Sequence, residues 1–523
     1  MRSYYRQMPS GQYQSEMGSL VIGINKYNSD TEIHDHILSD ALNAYPYNNE
    51  AVSIDPGTPD INEDDSLFPA LGYTGRVLAS ECLLYLGAPH LVVFVYDSGV
   101  YKVVSINLTT QTQLHSLTVS GWASPVANIA IDTTIFRTEA FNYVVFASDT
   151  YQSFTLYNFT GTLINQAVDF KPKRLTSYAN RIFAIDTGNI LWWCGAGMYD
   201  NWHSTTVDES YIQEDAGYWV LENESVLSDI IMLNNAVYIF APDNIYIFRG
   251  YDYETFVLQP ILSNIGLQED NTYNRIVLSK SIAYFIYKDN IYEFNGSARP
   301  SIINRPVLIN GQNVNGISGG IPRYIDESNS KLDGNLYADN ENLYLWIDRD
   351  FYMYDLNARS WWYFSGFAKG NEFTGDNDIS QSYFWNLGDR KTDVVISDLD
   401  SNTWSAYNRL STYVDNAYVV TKAYNSIPSE KQALTNMTLE TRGDAGSVAD
   451  ITISIYLYAS DEWVDIKTLN GHMFTGNVEM IDIYIPPKYV VRTSHYKIRV
   501  SVSGSALRVY NMERRFRIQR RSR

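Results

Sequence analysis

One unit keeps returning along this chain: two short runs of aliphatic and aromatic residues joined at an aspartate-bearing turn. It reads LVVFVYDSGVYKVVS with its turn at Asp97-Ser98-Gly99, then YVVFASDTYQSFTLY around Asp149, then NRIFAIDTGNILWW around Asp186-Thr187-Gly188. Two close copies follow, NAVYIFAPDNIYIFRG turning at Asp243-Asn244 and SIAYFIYKDNIYEFNG turning at Asp289-Asn290. NLYLWIDRDFYMYD around Asp348 and a weaker TDVVISDLDSNTW near Asp398 extend the series. The runs are short, β-branched and aromatic, which favours strands, and the Asp, Asn and Gly between them accept tight or left-handed backbone. The turns recur about every 40 to 60 residues, room for one four-stranded sheet per hairpin, which is the period of a propeller blade. A ring of blades also shelters the sheet edges that such apolar strands would otherwise expose. A second echo supports this reading: MYDLNARSWW and ISDLDSNTWS bring Asp355 into register with Asp398 and Trp361 with Trp404. The expectation is an all-β protein with a β-propeller of about six to seven blades over residues 76–415.

From residue 416 to 523 the texture changes. ALTNMTLETRG, ADITISIYLYAS, VEMIDIYIP, HYKIRVSVSG and ALRVYNMERRFRIQ alternate apolar and polar residues at short spacing, the pattern of a separate antiparallel β-sandwich. Residues 1–75 carry little periodicity. Asp55-Pro56-Gly57-Thr58-Pro59-Asp60 and the acidic Asn62-Glu63-Asp64-Asp65 read as loop, so this region is expected to be an extended arm joining the propeller. A chain of 523 residues exceeds one ordinary core, in keeping with more than one unit.

The formal net charge of −20 disfavours binding nucleic acid through its backbone, which requires Lys and Arg to displace counterions. An acidic wall would instead let DNA slide. Cys82 and Cys194 stand far apart and imply neither a disulfide framework nor a zinc knuckle. The opening Met1-Arg2-Ser3-Tyr4-Tyr5 leads into polar residues without an apolar core, so no secretory signal is expected and synthesis in the cytoplasm is. His34-Asp35-His36 is the closest approach to a metal motif and lacks further ligands in range. No G-x-S-x-G, H-E-x-x-H or phosphate-cradling glycine loop occurs. Asp398, Thr403 and Trp404 resemble part of the Asp-box of sialidase propellers, but Ile396 and Asp400 stand where that turn wants Ser or Thr and Gly. No catalytic, cofactor-binding or metal-binding residue is therefore expected. The one charge run is Arg514, Arg515, Arg517, Arg520, Arg521 and Arg523. It reads either as a last strand with a solvated tail or as an electrostatic latch for an acidic partner, which a second copy of this chain would satisfy.

Several stretches resemble a known family. AGYWVLENESVLSDIIMLNNAVYIFAPDNIYIFRG, the Ile265-Gly266 turn, the strand from Tyr292 to Gly296 and the preceding ILWWCGAGMYDNW are similar to the propeller of packaged-DNA stabilisation and tail-nozzle (tail hub) proteins of short-tailed bacteriophages. The opening Gly23-Ile24-Asn25 and Asp40-Ala41-Leu42-Asn43 also fit, while Ser53-Ile54-Asp55-Pro56-Gly57 replaces that family's basic Lys-Arg-Pro-Gly step. The resemblance implies a non-catalytic virion protein of the tail, arranged as a homo-hexameric ring below the portal and its adaptor and contacting tail fibre or spike proteins. Genomic DNA would be retained by this ring and pass through it on ejection without sequence-specific binding. Two other classes fit the same residues: a carbohydrate-binding or carbohydrate-cleaving propeller, and a propeller that serves protein interaction alone.

Overall fold

The computed structural model describes residues 13–18, 23–25, 37–47, 50–56, 76–107, 109–110, 112–126, 129–203, 215–252, 254–267, 276–296, 299–309, 312–315, 317, 319–321, 335–338, 341–347, 350–364, 379–386, 392–398, 404–408, 417–425, 430–458, 461–486 and 495–520. Strands and turns account for all regular structure among them. Seven antiparallel sheets follow one another along the chain: blade one (76–118), two (132–167), three (172–220), four (229–263), five (276–302), six (335–364) and seven (379–408). The first six are four-stranded, and three strands of the seventh are described. The first strand of each blade lies innermost. The inner strand of blade seven, Ile379–Asn386, packs against that of blade six, Asn335–Ala338, and against that of blade one, Arg76–Tyr85, which closes the ring.

Each of the first six recurrent hairpins forms the middle two strands of one blade, and the seventh forms the second and third described strands of the last. Ala88–Asp97 pairs with Val100–Asn107, Arg181–Asp186 with Ile190–Trp193, and Ile282–Tyr287 with Asn290–Phe294. The turn chemistry is local. Ser98 and Gly99 both sit at positive φ, and Asp186 accepts the N–H groups of Gly188 and Ile190 at 2.9 and 3.1 Å. A second turn family joins the inner strand of a blade to its neighbour. Ala179-Asn180, Asn234-Asn235 and Lys280-Ser281 are left-handed pairs of the kind that suit two-residue hairpins.

The hairpin strands read as unbroken apolar runs because both faces of each blade are covered. Side chains alternate across a strand, so Ile182 and Ala184 enter the core shared with blade two, while Phe183 and Ile185 enter the core shared with blade four. Aromatic rings fill these interblade cores: Phe170 stacks on Trp192 with centroids 4.4 Å apart, and Phe285 stacks on Tyr292 at 5.4 Å. Each such ring removes enough apolar surface from water to contribute about 1.5–3 kcal/mol.

Beside blades five and six stands a sandwich of two sheets. One orders Ala44–Tyr47, Ala51–Ile54, Leu507–Arg520, Glu430–Arg442 and Glu479–Tyr484, with Tyr13–Gly18 also on Leu507–Arg520. The other orders Leu38–Leu42, Ala417–Thr421, His495–Gly504, Val448–Leu457 and Glu462–Met473. The first 75 residues, expected as an extended arm to the propeller, thus supply four strands to the sandwich, which is woven from both ends of the chain. Their strands are too short to show a period, and their apolar residues Leu38, Ala41, Val52 and Ile54 are fully buried only because the C-terminal strands cover them. This N-terminal stretch also binds blade six: Ile24 N–H donates to Trp361 O and Asn43 N–H to Tyr363 O. The core of the sandwich is continuous with that of blades five and six, running from Ile451, Val500 and Ile483 through Leu38 and Val52 to Trp362, Tyr344 and Ile286.

Candidate functional site

Charged side chains gather where the inner strands of blades one to four line the propeller axis. Asp132 opens the inner strand of blade two, Lys173 and Arg174 that of blade three, and Asp229 that of blade four. Arg174 Nε lies 3.5 Å from Asp229 Oδ2, and Asp132 Oδ2 accepts the Leu175 N–H at 2.5 Å. Two carboxylates therefore flank one guanidinium. Burial, opposed by Arg174 and reinforced by Asp229, pushes the Asp132 carboxyl up to about 7. Burial raises Asp229 as well, against the pull of Arg174. Lys173, buried, donates Nζ to the Leu227 carbonyl at 3.0 Å. In blade one, Glu81 accepts Thr133 Oγ1 at 3.2 Å, and burial raises its carboxyl too. Thr134 and Ser177 hydroxyls meet at 3.2 Å. These contacts lace four adjacent blades together at the axis with nearly balanced charge. The positions were not singled out in the sequence. Asp132, Arg174 and Asp229 share one signal, a charged residue at the start of the strand that precedes a recurrent hairpin.

The arginine run divides by strand geometry. Arg514, Arg515, Arg517 and Arg520 all lie within the strand Leu507–Arg520, while Arg521 and Arg523 lie outside the described residues. Alternation turns Met512, Arg514 and Phe516 inward. Arg514 is 5% exposed, its guanidinium sits 3.3 Å from the centroid of the Tyr424 ring, and Nη1 donates to Tyr496 Oη at 3.3 Å. That is an interior cation–π contact, so the run is not one uniform exposed latch. Arg515 faces outward and pairs with Glu513 through Nε and Nη2 at 3.2 Å each. Arg517 stands opposite Ala433 and Arg520 opposite Glu430 in the ladder.

Among the described residues no group of three or more His, Cys, Asp and Glu side chains is placed to hold a metal ion. His34-Asp35-His36 lies outside the described residues. Cys194 is buried and Cys82 is half-buried, both as free thiols. No described helix is long and apolar enough to cross a membrane.

No family model matches the chain, and no curated protein does. Solved structures with some likeness include streptogramin B lyase, at 9% identity and TM-score 0.40 over 63% of this chain and 93% of that one. A structure of BBS1N in complex with ARL6DN shows 8% identity and TM-score 0.39 over 65% of this chain and 94% of that one. PorZ of the type-IX secretion system of Porphyromonas gingivalis shows 11% identity and TM-score 0.33 over 77% of this chain and 48% of that one. The propeller assignment rests on the seven sheets themselves.

Proposed function

We propose that this chain is a non-catalytic structural subunit of a short-tailed phage tail, a nozzle or hub. Six copies ring the path of the genome below the portal and adaptor, holding packaged DNA in the virion and letting it pass on ejection. The observation that supports this reading is the excess of acid over base. The chain has 39 Lys and Arg against 59 Asp and Glu, and several cations are spent inside the fold. Lys173, Arg181 and Arg514 are 3%, 2% and 5% exposed, and Arg174 is committed to Asp229. Glu81, Asp132 and Asp229 are withdrawn into the same interior, so the surface keeps an acid excess close to the net charge of −20. Such a surface releases no counterions from DNA and gives the phosphate backbone nothing to grip. The continuous core between the sandwich and blades five and six adds the stiffness that a conduit wall needs.

In this reading the DNA path runs between subunits. Portal and adaptor bind one end of the ring and fibres or a spike the other, and the subunit is made in the host cytoplasm before joining the virion. The test is negative-stain electron microscopy of the purified protein, alone and with a portal–adaptor complex. Rings or a six-fold tube seated on the portal are expected. A dispersed monomer that ignores the portal would overturn the proposal and make a glycan-binding propeller the next reading to assay.

A further inference from the structure

The strands of a blade run up and down, so turns from first to second strand leave at one end of the propeller and turns from second to third at the other. The recurrent aspartates Asp97, Asp149, Asp186, Asp243 and Asp289 all sit at the second end. The first end lacks that series and carries apolar side chains instead. Its hairpin in blade one is long: Arg76–Tyr85 and Ala88–Asp97 have ten residues each, where the matching strands of blades two to five have four to seven. Leu84 and Tyr85 pair with Pro89 and Ala88 beyond His90–Asn107, the last pair that reaches the third strand. The projecting tip holds Leu84 at 69% and Leu86 at 88% exposed, and residues 82–96 include no Asp, Glu, Lys or Arg. Leu86 also sits at φ +50, a conformation that leucine rarely adopts. A leucine both strained and left in water points to a residue kept for contact.

At the same end a groove of about 630 Å³ opens between blades four and five. Met232 and Leu278, 41% and 43% exposed, line it together with the turns Asn234-Asn235 and Lys280-Ser281. Lys280 is the one charged side chain among its described lining, and its Nζ donates to Asn357 Oδ1 at 3.3 Å. In a ring of seven, the seam of blades four and five lies half a turn from blade one. Consider a two-fold axis in the plane of this end, perpendicular to the line from tip to groove. It sets the tip of each copy over the groove of the other, forming two contacts at once, and it points the aspartate ends apart. The same rotation carries blade two over the seam of blades three and four. Exposed Phe141 then faces the sector of exposed Tyr251, whose carbonyl accepts Arg181 Nη1 at 3.2 Å across that seam. The sandwich attaches at the side, on the outer strand of blade six. Six exposed apolar side chains per copy, on the order of 100 Å² each, reach roughly the 1,200 Å² at which standard interfaces begin.

We propose that this end of the propeller binds a second copy of the chain face to face, with Leu84 and Leu86 of each seated against Met232 and Leu278 of the other. The contact uses the same patches on both copies, so it closes at two. The unbranched Met232 can shape itself around an entering leucine. A lipid surface would take the tip and leave the groove unused, and a chain of net charge −20 is not drawn to anionic headgroups. This contact does not depend on the ring reading, since a six-fold ring needs other surfaces.

The test is sedimentation velocity of the full-length chain over a concentration series at low and high salt. The wild type is expected to form a dimer that holds or strengthens at high salt, because salt screens the repulsion between two acidic copies and spares apolar contact. Leu86→Lys and Met232→Glu each alter both contacts of the dimer and are expected to weaken it about a hundred-fold or more. Mixing the two variants leaves one contact native and sets the new cation against the new anion in the other. The mixture should therefore dimerise more tightly than either variant alone. Both side chains already meet solvent, so urea midpoints should match the wild type; if Met232→Glu fails to fold, Leu278→Glu replaces it. A wild type that is monomeric at every concentration, or variants that dimerise as it does, would overturn the interface. So would a loss confined to Leu86→Lys, and so would a monomer that floats with phosphatidylcholine vesicles, which would assign the tip to lipid. None of these outcomes bears on rings seated on the portal–adaptor complex, which microscopy scores separately.

Discussion

Asp132, Arg174 and Asp229 put two carboxylates on one guanidinium where three blades meet the axis. Burial raises Asp132 from an ordinary carboxyl value to about 7, so the folded state holds a proton there that the unfolded chain releases near pH 4. A group raised in this way favours the fold below its unfolded value, and that contribution fades as pH climbs toward the folded one. The urea midpoint should therefore fall between about pH 4 and pH 7, and Asp132→Asn should flatten the fall over that window. An unchanged slope in the Asn variant would place the titrating group elsewhere. At this scale the arginine run was read either as a last strand with a solvated tail or as a latch, and composition alone could not say which arginine turns inward; the alternation of a paired strand sends Arg514 onto Tyr424 and leaves Arg515 outside.

Between elements, blade six and the N-terminal stretch approach closely at Gly23. Gly23 sits at φ +91 with its Cα against the blade's outer strand, and a Cβ there would come within 2.8 Å of both Ser360 Cβ and Trp361 O. Gly23→Ala is expected to cost about 1–3 kcal/mol, from backbone strain and from the displaced Ile24-to-Trp361 hydrogen bond. Gly87→Ala provides the control, because Gly87 has a similar φ of +80 with nothing within 4 Å of an added Cβ. A denaturant titration in which both variants lose the same stability would mean that the seam contributes nothing beyond backbone preference. The hairpins were plain in the sequence because turn chemistry and double-sided burial act over a few residues. The N-terminal strands were not, because four to six residues cannot display a period and their partners lie at the far end of the chain.

For the molecule as a whole, the shared core makes propeller and sandwich one mechanical unit. Interfaces between domains of a chain usually permit relative motion, but a large apolar one does not. Calorimetry should accordingly show the sandwich and blades five and six melting in one transition, and removing residues 417–523 should expose Leu38, Val52, Trp362 and their neighbours and yield an aggregating protein. A clean lower-temperature transition for the sandwich alone, or a soluble truncated propeller, would contradict the continuous core.

The amino-acid sequence by itself determined the all-β class, the recurrent hairpin and its turns, and the excess of acid over base, since each of these is written in residues close together or in simple composition. Only the tertiary structure decided that the blades number seven in a closed ring, that the chain's two ends weave one sandwich, which cations are buried, and that four inner strands bring their charges to one axis. Those outcomes depend on contacts between residues tens to hundreds of positions apart, such as Asp132 with Leu175 and Leu38 with Thr421. No local preference encodes such pairings; they follow from burying every blade face and satisfying every buried polar group at once.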